Sequence, residues 1–166
     1  GAYLFLNDSR LKDKVYITAI LDDIVKHKQW SDKNVVLVLE PGPIDAHWHS
    51  GILENHFVRE LKKAVSAAEK KHAKLTVMCG CDEAQVCWSS DEWRRTIFSH
   101  YLVEGLQGSA AEGEGRVNVG QLFDYVNKRV ANWAETNRGM KQTPILLGNG
   151  SRTVDLTQVK EANAER

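Results

Sequence analysis

Short apolar runs alternate along the chain with segments of helical periodicity. The runs Tyr3–Leu6, Val35–Leu39, Leu75–Met78 and Pro144–Leu147 are bounded by polar residues, Gly or Pro, as is typical of buried strands. Between the runs, apolar residues recur every three or four positions and predict amphipathic helices. The clearest of these helices places five apolar residues on one face: Phe57, Leu61, Ala64, Val65 and Ala68.

Capping signals predict where the other helices begin and end. Thr18 is a suitable N-cap for the first helix. Ser89 with Glu92 forms the pattern of a capping box, and Gly108 closes the helix that this box opens. A further helix ends near Gly139. The alternation of strands and helices predicts an α/β fold with a mostly parallel sheet and helices on both faces.

The length of the chain predicts one folded domain with a polar extension. A chain of 166 residues is long enough for one proper core. We expect the domain to cover residues 1–148, with a polar tail or linker over 149–166. Because Gly1 leads directly into the first strand, we also expect an N-terminally truncated fragment of a longer protein.

Composition excludes some classes of partner and predicts a compartment. Lys and Arg number 22, as do Asp and Glu, so the chain has no excess charge for binding nucleic acid or an anionic membrane. No apolar run reaches the roughly 20 residues of a membrane helix. Cys79, Cys81 and Cys87 are odd in number and crowded together, which argues against a disulfide framework. We therefore expect buried or reduced thiols and a cytoplasmic location.

The turn after Val35–Leu39 holds the densest group of candidate chemical side chains. Asp45, His47, His49 and Ser50 follow this strand, and the ends of parallel strands are where α/β proteins place their sites. The spacing of His47 and His49 differs from that of common zinc ligands, and no G-x-S-x-G motif surrounds Ser50. We therefore predict neither a metal nor another cofactor, and hydrogen-bonded loop histidines are the simpler interpretation.

The three cysteines are the other candidates for chemistry. Each follows a strand end, where a nucleophile would be expected. A catalytic thiolate also needs a nearby His to accept its proton, and sequence alone does not place one. A small buried apolar residue is the alternative interpretation for each of Cys79, Cys81 and Cys87.

Several phrases, in order, resemble the caspase-like fold of clan CD cysteine peptidases, family C14, which includes caspases and metacaspases. Phe98–Ala110 resembles that family's F-x-x-x-L-x-x-G-L-x-G-x-A, and Gly115–Val126 resembles its G-x-V-x-x-x-E-L-x-x-Y-V. Lys141–Pro144 resembles x-Q-x-P, and Ala2–Asp8 is similar to the segment after the family's catalytic His. The resemblance spans residues 2–147 and implies a caspase-like three-layer sandwich.

The family's nucleophile motif is the part that this chain lacks. In the family, an acid–x–Cys–His–Ser–Gly motif follows the strand equivalent to Val35–Leu39. Here Gly42 stands at the Cys position, or, if the alignment slides to Asp45–Gly51, His47 and Trp48 do. The resemblance is therefore to a divergent bacterial type without the usual Cys, whose degenerate site comprises Gly42, Asp45, His47, His49 and Ser50. The catalytic His would lie before Gly1, and Cys81 is the remaining thiol candidate.

The substrate-pocket segment is closer to the family pattern. Cys81–Cys87 is similar to the metacaspase phrase C-x-D-x-Q-x-S, which implies a pocket formed by Asp82, Glu83 and Gln85. Glu83 would receive a basic substrate residue. The resemblance implies a pseudopeptidase that binds a peptide or protein ligand, with a binding or regulatory role in a larger protein. The alternative is a cysteine endopeptidase that cleaves after basic residues and takes its His from sequence upstream.

Overall fold

The computed structural model describes residues 3–5, 14–40, 57–71, 74–113 and 115–158, which contain four α-helices and nine strands. In chain order these are β1 (Tyr3–Phe5), β2 (Lys14–Tyr16), α1 (Ile17–Lys26), β3 (Val35–Leu39), α2 (Phe57–Ala68), β4 (Leu75–Cys79), β5 (Ser89–Ser90), β6 (Arg95–Thr96), α3 (Ile97–Glu104), β7 (Arg116–Asn118), α4 (Val119–Arg138), β8 (Ile145–Gly148) and β9 (Asp155–Gln158). A 3₁₀ turn covers Lys28–Trp30, and a π-helical turn, Gly105–Ser109, follows α3.

Three strands form the central sheet, in the order β3-β4-β8. The strands predicted near residues 35, 75 and 145 are confirmed. β3 and β4 run parallel, whereas β8 runs antiparallel to β4, so the sheet is mixed rather than mostly parallel. Two successive helices, α3 and α4, separate β4 from β8.

Helices cover both faces of this sheet, which confirms the predicted layering. β4 is buried along its whole length. Its alternate residues Leu75 and Val77 pack in a core with α1 and α2, while Met78 packs in a second core with α3 and α4. This division follows from the period of two in a strand, which sends successive side chains to opposite faces. The α/β sandwich thus has two cores with β4 between them.

Two predicted helix starts are wrong. Helix α1 begins after Tyr16, which makes no side-chain cap, and Thr18 lies inside the helix. Ser89–Ser90 pairs as a strand with Arg95–Thr96 instead of opening a helix, and α3 starts only at Ile97. The hairpin uses the backbone groups that a helix at Ser89 would need for its first turn, so the capping pattern is overridden.

Helix α4 begins with the complete capping box that was predicted at Ser89 and is not formed there. The side chain of Asn118 accepts a hydrogen bond from the Gln121 backbone, and the side chain of Gln121 accepts one from the Asn118 backbone, both at 2.9 Å. The predicted end near Gly139 is confirmed, because Gly139 caps the helix in the left-handed conformation with φ 60°. Within the segment expected to be a polar tail, β9 pairs antiparallel with β7.

None of the helices in the described ranges is both long enough and apolar enough to cross a membrane.

Candidate functional site

Strands β3 and β4 end together at one edge of the sheet. Leu39 pairs with Cys79, and the backbone N–H of Gly80 donates a hydrogen bond of 3.0 Å to the carbonyl of Leu39. The residues that follow, Glu40 and Cys81, are therefore brought to the same edge. This is the position at which an α/β sheet presents residues to a ligand.

Glu40 is a partly buried carboxyl group at this edge. Burial raises the pKa of Glu40 above its usual value, while hydrogen bonds from the Thr96 side chain and the Ser99 backbone oppose that rise. Thr96 is also the N-cap of α3, and its side chain accepts a hydrogen bond of 3.1 Å from the Ser99 backbone. Glu40 therefore lies beside the first turn of α3. Its Oε1 atom is buried and has no hydrogen-bond partner among the described residues.

The turn after Glu40 lies outside the described residues. The degenerate site predicted at Gly42, Asp45, His47, His49 and Ser50 is part of that segment. The assignment of these residues to a degenerate site remains a prediction. Within the described ranges, no group of three or more His, Cys, Asp or Glu side chains has an arrangement suited to a metal ion.

All three cysteines of the chain lie in the described part of this edge. Cys81 and Cys87 are both buried, but they form a disulfide where free thiols, buried or reduced, were expected. Their spacing of six residues allows a short closed loop. The odd number of cysteines argued against a disulfide, but an odd number only requires that one cysteine stays unpaired. That cysteine, Cys79, is free and fully buried in β4. Burial raises the pKa of the Cys79 thiol, which disfavours the nucleophilic thiolate form.

The predicted pocket acids Asp82 and Glu83 face helix α2. The Nζ atom of Lys62 lies 2.7 Å from Asp82 and 3.3 Å from Glu83, and Arg59 lies 3.5 Å from Glu83. Burial would raise the pKa of Asp82, but hydrogen bonds from Lys62 and from the Glu83 backbone outweigh it and hold this pKa below its usual value. The two carboxylates are thus largely neutralised by cations of the same chain.

Gln85, the third predicted pocket residue, faces the loop before β8 instead. The Gln85 side chain accepts a hydrogen bond of 2.6 Å from the Thr143 backbone and donates one of 3.3 Å to the Thr143 hydroxyl. The structure therefore separates Gln85 from the two acids. Asp82 and Glu83 lie toward α2, while Gln85 lies toward the end of α4.

A buried glutamine holds the same two loops together. Gln142 is fully buried, its amide donates to the carbonyl of Gly80 at 2.9 Å, and its carbonyl accepts from the Trp88 backbone at 3.0 Å. Gln142 is the glutamine of the Q-x-P phrase. Its role in joining the two loops is visible only when its neighbours in space are known. The pairing of Lys62 with the two acids and the contact of Trp88 with Gln142 were not predicted, because no local sequence pattern indicates them.

A surface pocket of about 380 Å³ lies between these two loops, and we call it the Trp88 pocket. The walls are mostly apolar and include the single cation Lys141. The seven lining residues are Ala84, Gln85, Val86, Trp88, Gly139, Met140 and Lys141. The guanidinium of Arg138 lies over the Trp88 ring, 5.4 Å from its centroid.

The fold and site geometry define an α/β sandwich protein with a candidate site at the edge where β3 and β4 end. A family model described as the caspase domain, of the C14 peptidases, matches residues 8–153. The chain belongs to this family, as the resemblance in its sequence implied. No curated protein and no solved structure gives a significant match to the chain.

Proposed function

We propose that this caspase-like domain is a pseudopeptidase that binds a peptide or protein ligand and acts as a binding or regulatory part of a larger protein. The single observation that carries the proposal is the state of the cysteines. Cys81 is bonded to Cys87, and Cys79 is buried inside a strand. A cysteine peptidase needs an accessible thiolate with a neighbouring base, and none of these three sulfur atoms meets the first requirement.

The sequence at the end of β3 supports the same proposal. The residues after Leu39 are Glu40, Pro41 and Gly42, so no thiol follows the strand that carries the family's nucleophile. Glycine at that position has no side chain with which to attack a peptide bond. The fold could thus keep its ligand-binding surfaces after losing its nucleophile, because binding and bond cleavage depend on different atoms.

The alternative is a cysteine endopeptidase that cleaves after basic residues, with its His supplied from upstream. Asp82 and Glu83 are the features that favour it, because carboxylates attract a basic side chain. In this conformation both carboxylates already pair with Lys62. A basic substrate would therefore have to displace that lysine, at a cost that an open acidic pocket does not carry.

Thiol labelling of the full-length protein tests the proposal. We expect an iodoacetamide-type reagent to label none of these cysteines in the native protein. Unfolding without reductant should expose Cys79 alone, and unfolding with reductant should expose all three. Peptide probes that carry an alkylating group after Arg or Lys should label nothing. Rapid labelling of the native protein by such a probe, lost on Cys81→Ala, would overturn the proposal in favour of the peptidase.

A further inference from the structure

The hairpin formed by β5 and β6 is short, and its tip packs on the domain through Trp93. Each strand has two residues, and a turn over residues 91–94 joins them. Three of the four turn residues are exposed, and Trp93 is the partly buried one. A pair of strands this short is not stable unless it packs against another element. Trp93 therefore supplies the packing that keeps the tip of the hairpin in place.

The backbone of the turn carries strain that this packing offsets. Arg94 has φ 49°, in the left-handed region that residues with a side chain disfavour. Its N–H donates to the Asp91 carbonyl at 3.3 Å, and the Ser90 hydroxyl accepts from the Trp93 N–H at the same distance. These hydrogen bonds lie within the hairpin and do not join it to the rest of the domain. The contacts of the Trp93 ring are therefore what opposes release of the tip.

The closest partner of the Trp93 ring is a histidine. The indole stacks on the imidazole of His100 in α3, with ring centroids 3.8 Å apart and an angle of 14° between the planes. The ring centroids of Tyr101 and Trp133 lie farther away, at 5.8 and 6.1 Å. One turn along α3, the Oε2 atom of Glu104 lies 3.7 Å from the Nε2 atom of His100. The tip of the hairpin is thus docked on a group that can gain a positive charge.

Protonation of His100 strengthens the stack. Imidazole is the side chain that changes charge between about pH 5 and 8. A cation over the face of an indole is attracted by the ring, and a neutral imidazole lacks this attraction. The Glu104 carboxylate attracts the same cation, although solvent screens this pair because both side chains are partly exposed. Mild acid therefore favours the docked tip, and a higher pH favours its release.

Other charged groups surround this contact without pairing with His100. Within the described ranges, Glu104 is the group that forms an ion pair with His100. Tyr101, edge-on to His100, stays neutral because burial raises the pKa of its hydroxyl above its usual value. Glu40 is a second titratable group nearby, but it lies beside the first turn of α3 and not at the tip. The remaining charged groups on the turn and on the facing part of α4 are exposed: Asp91, Glu92, Arg94, Arg129 and Arg138.

We propose that the stack of Trp93 on His100 is a pH-sensitive latch, which holds the β5–β6 hairpin against α3 in mild acid and releases its tip as the pH rises. The base of the hairpin stays fixed, because the Ile97 N–H donates to the Trp88 carbonyl at 3.0 Å. Since the hairpin begins directly after Trp88, release of the tip changes the surface beside the candidate site. The inference goes beyond the proposed function, because the latch works in the same way whether the domain binds or cleaves its ligand.

Trypsin cleavage at the hairpin tip measures the latch on the full-length protein. Arg94 and Arg95 are exposed, and mass spectrometry identifies a cut after either of them. At each pH the cleavage rate is divided by that of a synthetic peptide covering residues 87–98, which removes the pH dependence of trypsin itself. We expect protection to be about two- to fivefold greater at about pH 5.5 than at about pH 8. Equal protection at both pH values overturns the latch.

Two histidine substitutions distinguish a latch from a purely structural contact. His100→Phe keeps an aromatic ring against Trp93 but cannot become charged, so protection should persist and no longer vary with pH. His27→Phe is the matched control, since His27 lies on the other core, 3.2 Å from Asp23 at the end of α1. This control should keep the pH dependence of the wild type. A pH dependence that survives His100→Phe, or that His27→Phe abolishes, overturns the inference.

Two further variants assign the effect to the tip of the hairpin. Trp93→Ala should abolish the protection at both pH values. Glu40→Gln should keep the pH dependence, because Glu40 does not contact the tip. Unchanged protection in Trp93→Ala, or loss of the pH dependence in Glu40→Gln, would overturn the assignment to the stack of Trp93 on His100. The thiol-labelling test of the proposed function does not involve this hairpin, so the two conclusions can fail separately.

Discussion

The side-chain carbonyl of Gln142 accepts a hydrogen bond of 3.0 Å from the backbone N–H of Trp88, which lies 54 residues earlier in the chain. The amide of the same side chain donates to the carbonyl of Gly80, so both ends of the buried group are satisfied. A buried amide with both partners fixes the separation of the two loops that it joins. The Trp88 pocket depends on that separation.

Replacing Gln142 should be strongly destabilising. In Gln142→Leu, the Trp88 N–H and the Gly80 carbonyl both lose their partners in a buried site, which costs about 2–4 kcal/mol of unfolding free energy. Urea denaturation measures the loss. Gln107→Leu, at an exposed position, is the matched control and should change stability little. Equal effects of the two substitutions would contradict the role given to Gln142.

Glu40 should make stability depend on pH in a defined direction. Its pKa in the folded protein is raised above 4.5, so the folded state holds this proton more tightly than the unfolded state does. The stability that protonated Glu40 contributes to the folded protein is therefore fully present below about pH 4.5, and it is lost as the pH rises through the folded pKa. Glu40→Gln should be more stable than the wild type at neutral pH, with the advantage vanishing in acid.

Thermal unfolding across a pH series measures this effect of Glu40→Gln. The exposed Glu92 offers a matched control, since Glu92→Gln makes the same chemical change away from the buried edge. A pH profile of Glu40→Gln that parallels the wild type would show that Glu40 is not the group responsible.

The ion pair between Lys62 and Asp82 should contribute modestly to the free energy of unfolding, and only above acidic pH. Because both side chains are about one-third exposed, solvent screening limits the pair to about 0.5–1 kcal/mol. The pKa of Asp82 is lowered below 3.8, so this contribution is present above that value and is lost as the pH falls through the folded pKa. Lys62→Met should remove it. Chemical denaturation of this variant at two salt concentrations measures the loss. The control is the neighbouring Lys63→Met, which removes an exposed pair with Glu60.

The disulfide should stabilise the domain by closing a short loop. The double variant Cys81→Ser/Cys87→Ser is expected to lose about 2 kcal/mol, because a loop of this size restricts the unfolded chain by about that amount. Adding dithiothreitol should lower the unfolding temperature of the wild type by differential scanning fluorimetry and leave that of the double variant unchanged. If dithiothreitol lowered the unfolding temperature of both proteins equally, the stabilisation could not be assigned to the disulfide between Cys81 and Cys87.

Two glycines with positive φ should respond differently to substitution. Gly148 has φ 91°, and a Cβ there would collide with the backbone carbonyl of Leu75, whereas Gly139 has φ 60° and open space around it. Gly139→Ala should therefore cost about 1–2 kcal/mol, the strain of the left-handed conformation. Gly148→Ala should cost clearly more, because the collision at the β4–β8 pairing is added. Chemical denaturation of both variants tests the ranking.

Much of the fold follows from local patterns along the chain. The apolar runs predict β3, β4 and β8 because a buried strand needs only a few consecutive apolar residues. Periodic positions predict α2, and Gly139 predicts the end of α4, since both signals act within a few residues. The phrases resembling the C14 peptidases predict the family, which the match over residues 8–153 confirms. The missing thiol after β3 is likewise a property of the sequence alone.

Only the tertiary structure decides which side chains meet at the candidate site. The contacts of Asp82 with Lys62 and of Gln85 with Thr143 join residues 20 and 58 positions apart, and they send neighbouring side chains of one loop in opposite directions. The hairpin at Ser89 overrides a local capping pattern because paired backbone groups are no longer available to a helix. Spacing alone did not predict the bond between Cys81 and Cys87. Local signals determine elements, whereas a site depends on distant groups that packing brings within hydrogen-bonding distance.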